Sequence, residues 1–499
     1  MHLYWGDLHN HCGISYGYGS LANALSAARE QLDFCAVTGH ALWPDIPART
    51  PATDYLVEFH ERGFARLAAG WEAVRAEIAA ANDPGRFVTF QSYEMHSRRY
   101  GDHHVLPPAD DLPLAHGESP AAILAALAPR PAIAVPHHVA YVPGYRGISW
   151  ADHDPARSPL VEVYSKHGSG MADEGPHPYL HSMGPRDSRN TVLRGLECGH
   201  RFGFLASTDH HAGYPGSYGD GRAAVWAAAL TREAVWEALL SRRTYAVTGD
   251  KIACRFAVNG SPMGSVVRSG GGRRTVTLEV AACAALDKVI AYKNARPWRV
   301  VPGESLGGAA RPGRVKVRIE MGWGNSPAAF LWQGHARLAG GEIASVETCF
   351  RGQSVLAPSR ERADDPHINA LDNHLLASTP GEVAWRSVTF ANPSTLHPAT
   401  CALILEIAGG PSTALTVSLN GKTATLTVAE LLAGGRGVHL QDHSSEAFLI
   451  HRAVPEQEYT FRGTWRDAPP PGPGTDVYHA EVRQVNGQCA WISPVFVER

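Results

Sequence analysis

Over the first 252 residues, short apolar runs alternate with stretches whose apolar residues return every three or four positions. That is the pattern of strands alternating with amphipathic helices. Residues 3–8 read as a strand, and Ser20 stands where a helix over 21–32 needs its N-cap. Residues 34–38 form a buried strand ending at Gly39-His40. A long helical pattern runs from about 61 to 81 and stops at Asn82-Asp83-Pro84-Gly85. Residues 86–90 are a strand running into Glu94 and His96, and Ser119 caps a helix over 120–127 with Pro120 at its first position. Strands at 132–135, 160–164 and 203–206 end at Pro136-His137-His138, Ser165-Lys166-His167 and Ser207-Thr208-Asp209-His210-His211. A helical stretch at 191–198 precedes the last of these; a strand at 223–228 and a helix at 232–241 behind Thr231 follow it. These make about seven β/α units, which predicts an α/β fold with a parallel sheet or barrel. In a barrel the C-terminal strand ends form the functional face.

After about residue 249 the texture changes. Runs at 276–280, 315–319, 402–407, 413–419, 423–428, 478–485 and 489–497 are short and β-like, broken by turns such as Asn259-Gly260 and Asn420-Gly421. The expectation is two domains: 1–250 α/β, and 251–499 all-β and sandwich-like, with a possible subdivision near 360. Residues 269–274, 359–367 and 469–473 read as loops, and Trp323, Trp332 and Trp385 as either core or surface.

Composition narrows the function. The chain has 499 residues, more than one ordinary core, with net charge −3 and no outstanding basic run, so nucleic-acid coating has no electrostatic support. No apolar stretch reaches the roughly 18 residues of a membrane span. No signal peptide is read at the N-terminus. Eight scattered cysteines without CxxC spacing fit reduced thiols of a cytoplasmic protein. Eighteen of the 26 histidines lie in the first 252 residues, which points metal or proton chemistry at that half.

The chemistry starts at His9-x-His11. In an extended chain, residues i and i+2 share a face, so the pair can hold one ion from the mouth of a strand. Metal sites need deprotonated ligands held close and rigid, and neutral imidazole and carboxylate both qualify. The candidate ligands are His9, His11, His40, Glu94, His104, His137, Asp209 and His211. Singly, His40 is more often a structural histidine and Glu94 more often a solvated carboxylate, and Asp209-x-His211 could be a helix cap. Together, most of them close an apolar strand-like run, and chance does not explain the set. Mixed His/Asp/Glu sites suit Zn, Mn or Fe(II).

The ordered motifs His9-x-His11, Gly39-His40, Glu94, Asp102-x-His104-x-Leu106, Pro136-His137 and Asp209-x-His211 resemble those of the PHP (polymerase and histidinol phosphatase) superfamily. Within it, Trp5-Gly6-Asp7-Leu8-His9, Gly199-His200-Arg201-Phe202-Gly203-Phe204 leading to Ser207-Thr208-Asp209, and Ala490-Trp491-Ile492-Ser493-Pro494 resemble a branch labelled as a domain of unknown function. The resemblance covers residues 1–252, and the C-terminal half more loosely. It implies a distorted (β/α)7 TIM-like barrel with two or three divalent ions. By position, His9, His11, Glu94 and Asp209 would hold the first ion. Glu94 would bridge to a second with His104 and His137, and His40 and His211 would serve a third. The chain departs from the pattern at Gly17, where a further His is usual, and at Gly39, where an Asp is; His103 is an alternative to His104.

Such ions activate a bridging water as hydroxide and polarise a phosphoryl oxygen. The expected activity is metal-dependent hydrolysis of phosphate mono- or diesters, or of related tetrahedral esters, on a small-molecule substrate. Amide or carboxylic-ester hydrolysis at the same site, and a non-catalytic metal-stabilised binding protein, are the alternatives. Lys166, His167, His200 and Arg201 flank strands as candidate anion clamps or leaving-group acids, although a solvated loop cation explains each as well. His138 and His210 neighbour the ligands. A fragment ending near Gly249 that stayed soluble and active would make the C-terminal half dispensable.

Overall fold

The computed structural model describes residues 1–499 apart from 181–182, 270–271, 306–312, 325–327, 356–367, 369, 393–397, 443–444 and 470–471. The predicted loop at 359–367 and the possible subdivision near 360 therefore lie outside the described residues, as do parts of the loops at 269–274 and 469–473.

The N-terminal elements are β1 (His2–Asp7), α1 (Leu21–Arg29), β2 (Phe34–Leu42), α2 (Asp54–Ala81), β3 (Val88–Met95), β4 (His103–Leu106), α3 (Pro120–Leu127), β5 (Ile133–Pro136), β6 (Leu160–Ser165), β7 (Gly168–Ser169), α4 (Val192–Glu197), β8 (Gly203–Ala206), β9 (Arg222–Ala227), α5 (Arg232–Leu240) and β10 (Thr244–Val247). The caps read from sequence are in place: Ser20, Ser119 and Thr231 each accept a backbone N–H of the first turn, and Thr191 does the same for α4. Helix α2 starts at Asp54, a full two turns before the predicted onset, and buries Val57, His60, Gly63, Leu67, Trp71, Val74 and Ile78 along one face.

The closed, all-parallel barrel is not what the strands form. β1, β2 and β3 pair in parallel, but β4 runs antiparallel to both β3 and β5, and β9 antiparallel to β1. Only residues 96–102 separate β3 from β4, and a parallel return needs a crossover of a dozen residues or more. β6, β7 and β8 make a separate three-stranded sheet, so hydrogen bonding around the ring is interrupted. The fold is an open, mixed α/β arrangement rich in strands. Its interior is still one core: Leu8, Phe34, Phe90, Leu106, Val135, Leu160, Leu205 and Val225 pack together from eight different strands or strand ends.

The large sheet does not stop at β10. Strand Cys489–Glu498 pairs with β10 (Tyr245 opposite Ile492), and Thr475–Gln484, Leu286–Lys293 and Arg296–Pro302 extend the sheet beyond it. A four-stranded sheet including Ala253–Val258 and Arg274–Ala281 packs its alternating apolar face on this extension. A nine-stranded sheet built from strands between Arg314 and Pro455 encloses a core of its own. Trp332 and Trp385 are buried in that core, whereas Trp323 is exposed. The two predicted strands at 402–407 and 413–419 are one continuous strand, Cys401–Leu419, paired with the long strand Phe330–Cys349. The turns Asn259-Gly260 and Asn420-Gly421 have positive φ at both positions, as two-residue hairpins require. All eight cysteines are free and seven are buried, and no described helix is long and apolar enough to cross a membrane.

Candidate metal centre

Three neighbouring strands lay down a row of ligating side chains. His40 on β2 stands opposite Glu94 on β3, and Glu94 opposite His104 on β4. Directly opposed residues project to one face. The row therefore takes His104 rather than His103, whose ring is turned to the Gly101 carbonyl at 2.9 Å and lines a small cleft with Asp152 and His153. His9 and His11 leave the end of β1, and Asp209 leaves the end of β8 in the left-handed region at φ +49°. Backbone hydrogen bonds lace these loops together: Asp209 N to His9 O, His11 N to His210 O and Thr38 N to Asn10 O, each 2.8 Å. The buried Asp7 carboxylate accepts the N–H groups of His9, Thr208 and Gly216 and so pins β1 to β8.

Far-apart residues thus meet. Ligand atoms of His9, His11 and Glu94 lie within 4.8 Å of one another, as do those of His9, His137 and Asp209, and those of His11, His40 and His211. Two further groups of the same kind, His9–His104–Glu162 and His40–Glu94–His96, add residues not chosen from the sequence. Glu162 had a visible signal: it is a lone carboxylate inside the apolar run of β6. His96 shares a face with Glu94 two residues earlier.

Proton positions show what the cluster can hold. A backbone carbonyl can only accept, so His11 Nδ1, 2.6 Å from Thr38 O, carries its proton. In the neutral ring Nε2 is then bare, and it faces Asp209 Oδ1 at 3.1 Å and Glu94 Oε2 at 3.4 Å. Lone pair meets lone pair, and a cation between them relieves the clash. His211 repeats the arrangement, with Nδ1 on the Asp209 carbonyl at 2.9 Å, and His9 Nδ1 sits 3.1 Å from Glu162. Imidazole ligands of metals are oriented by such partners on the far nitrogen. His137 Nδ1 and both nitrogens of His104 are buried without a hydrogen bond, and Glu94 Oε2 and Asp209 Oδ2 meet only imidazole nitrogens. Orphaned polar atoms of this kind are rare, and here they converge.

The charge states agree. Burial would raise Glu94, but His96, His40 and His137 hold it well below the usual carboxylate range; His167 and His9 do the same for Asp209. Burial, then neighbouring imidazoles, push His40, His104, His137 and His211 well below their ordinary value, so they are neutral ligands. His9 differs: burial lowers it, yet Glu162 and Asp209 carry it well above normal, and burial lifts Glu162 to about 7. The donor set fits divalent ions of the Mn, Zn or Fe type.

Around the cluster, His167 Nε2 and His138 Nε2 stand 2.9 and 3.2 Å from Asp209 Oδ2. Lys166, half-buried, donates to the Val355 carbonyl. Gly352 packs so close to His210 that a Cβ there would lie 2.8 Å from its ring, so the segment before Val355 forms one wall of the site. On another side Tyr16 stacks on His40 at 3.6 Å and touches His96 Nε2 at 2.7 Å, while Arg146 holds His96 Nδ1 and Asp102 Oδ2, each at 2.7 Å. No sequence signal marked Tyr16 or Arg146. His200 and Arg201 are not brought to the cluster. They precede β8, at the end opposite Asp209; His200 stacks on Trp150 and Arg201 pairs with Glu498 at 2.8 Å. Gly17 and Gly39 leave no room for a ligand: a Cβ would lie 2.7 Å from Cys12 O and 2.5 Å from Leu67 respectively.

Comparison with known proteins is sparse. A family described as a protein of unknown function (DUF3604) matches residues 216–261. An uncharacterized protein of Chlamydia pneumoniae is 26% identical over 247 residues, 45% of this chain and 39% of the relative. Another, from Chlamydia trachomatis, is 24% identical over 285 residues, 53% of this chain and 42% of the relative. The chain thus spans about two fifths of the length of these relatives. Among solved structures, a two-domain Bacteroides vulgatus protein containing a predicted PHP-like metal-dependent phosphoesterase is 16% identical with a TM-score of 0.33, covering 58% of this chain and 78% of that one.

Proposed function

We propose that this chain is a metal-dependent hydrolase of phosphate mono- or diesters, or of related tetrahedral esters, acting on a small molecule in the cytoplasm. The observation that carries the reading is the bare His11 Nε2 aimed at two ionised carboxylates, inside a shell of buried imidazoles whose far nitrogens are fixed by carbonyls and by Glu162. His9, His11, Glu94 and Asp209 would hold one divalent ion, Glu94, His104 and His137 a second, and His40 with His211 a third. Such ions lower the pKa of a bound water toward neutrality and polarise the ester.

The rest falls to the chain. Glu162, Thr38 and the Asp209 carbonyl orient His9, His11 and His211. Lys166 has donors left beyond the one on Val355 and would supply a cation to a phosphoryl oxygen; burial lowers its pKa. Arg146, half-buried and held by Asp102, stands 2.7 Å from His96 Nδ1, which also lies 3.1 Å from Asp102 Oδ2. His96 Nε2 lies 2.7 Å from the Tyr16 hydroxyl and so holds it beside the cluster, where it would meet a substrate oxygen.

The test is hydrolysis of aryl phosphate mono- and diesters by metal-loaded protein, with acyl esters and amides in parallel. Phosphoester turnover abolished by chelation and restored by Mn, Zn or Fe is the expected result. Turnover that survives chelation, or confined to acyl substrates, would overturn the reading.

A further inference from the structure

A second polar cavity, of about 370 Å³, opens at the seam where the loop carrying Tyr218 meets the C-terminal half. Its volume is in the range of small-molecule sites. Strand Arg314–Gly322 turns Lys316, Arg318 and Glu320 toward it, on the face opposite the buried Val315, Val317 and Ile319. Arg351, His451 and Arg452 face it from neighbouring segments.

The charges there do not balance. Arg318 pairs with Asp250 at 2.6 Å, His451 with Glu320 at 2.7 Å and Arg452 with Glu458 at 2.6 Å. Lys316 and Arg351 have no ion-pair partner among the described residues. Lys316 donates to the Ala282 carbonyl at 2.7 Å, and Arg351 to the carbonyls of Tyr218 and Thr400. The carboxylates nearest in the fold do not make up the difference. Glu406, cross-strand from Lys316, is taken by Arg314 at 2.8 Å, Glu347 hydrogen-bonds Cys283 at 3.0 Å, and Asp220 faces Arg351 without an ion pair and is raised by burial. Two guanidinium groups, Arg318 and Arg351, lie 5.1 and 4.8 Å from the centre of the same Tyr218 ring. Cations lining one cavity, with donors to spare, are complementary to an anion.

We propose that this cavity is a binding site for a phosphate-type dianion, free or carried on a small molecule, recognised by Arg351 and Lys316. It is separate from the metal centre and does not rest on the hydrolase reading. The two carbonyls fix the Arg351 fork and leave its remaining N–H groups for two phosphate oxygens; Lys316 supplies the second charge. Tyr218 keeps the guanidinium planes in place.

Calorimetric titration of the full chain, before and after chelation, with inorganic phosphate and with glycerol phosphate, tests the proposal and separates the two sources by relative affinity. Phosphate bound at the metal centre disappears on chelation. Phosphate bound at this cavity survives chelation and weakens about 10- to 100-fold in Arg351→Gln and in Lys316→Met, the loss expected for a charged hydrogen bond. If Arg351→Gln fails to fold, Lys316→Met decides alone. No binding of either anion to chelated protein, or binding that a folded variant leaves unchanged, would overturn the proposal.

Discussion

Replacing His479 with phenylalanine isolates one proton-linked part of this protein's stability. His479 is wholly buried on strand Thr475–Gln484, stacked on Tyr292 at 4.5 Å and 8°, with its edge contact to Phe204 of β8. Neither nitrogen has a hydrogen-bond partner, and burial pushes its pKa down to about 3. The unfolded value is about 6.5. Since the folded pKa lies below the unfolded one, neither state carries the proton above about pH 6.5, and stability there is insensitive to it. As pH falls through that value the unfolded chain takes up a proton that the native chain refuses, down to about pH 3. Linkage then gives a loss of about 2 kcal/mol at about pH 5, toward a limit of about 5 kcal/mol. His479→Phe keeps the stack and removes the titration, and any packing change is the same at both pH values and cancels. Urea unfolding followed by tryptophan fluorescence at about pH 7.5 and about pH 5 should show wild type losing about 2 kcal/mol more than the variant across that interval. Equal losses in the two proteins would refute the reasoning. The contact matters for the site because β8 leads directly into Asp209.

Elemental analysis of wild type should give at least two divalent ions per chain, and Glu94→Gln should fall below one, because its two oxygens face His137 and His96 on one side and His9, His11 and His40 on the other. Unchanged metal content in that variant would show that Glu94 is not shared. In aryl phosphate hydrolysis, Lys166→Met should lower kcat/KM about 100-fold while His200→Ala stays within about twofold; equal effects would contradict their placement at and away from the cluster. Arg146→Ala leaves Asp102 buried without its cation and should lower stability by about 3–5 kcal/mol, read by denaturant melts; a variant as stable as wild type would refute that dependence. A chain truncated after residue 250 should be insoluble, because β10 then exposes the edge that Cys489–Glu498 covers; a soluble, folded fragment would prove the halves independent.

Local chemistry made much of this legible in sequence. Strand ends carrying His9, His11, His137 and Asp209 announce themselves because an apolar run stops at a ligating group. Caps at Ser20, Ser119 and Thr231 are short-range facts and were readable. Sheet pairing is not: nothing in residues 103–106 tells an antiparallel strand from a parallel one, and the short link that decides it only has meaning once β3 and β4 are known. The joining of Tyr245 to Ile492 lies 247 positions apart in the chain and no periodicity reports it. Glu162 and His96 were visible but isolated, and became ligand candidates only when folding placed them against His9 and Glu94. Tyr16 and Arg146 belong to loops, where position follows from tertiary packing. His200 and Arg201 stand away from the cluster for a simple geometric reason: they sit before a strand rather than after it.

The pairing of β10 with Cys489–Glu498 also dictates an order of events at the ribosome. At about 5–20 residues per second, β10 waits roughly 12–50 s for its partner to be made. Through that interval the nascent chain carries an unsatisfied sheet edge, and the histidines of the first half have emerged long before the walls that will enclose them. Ion loading is therefore expected after release, and a holdase shielding that edge during translation should raise the yield of native protein.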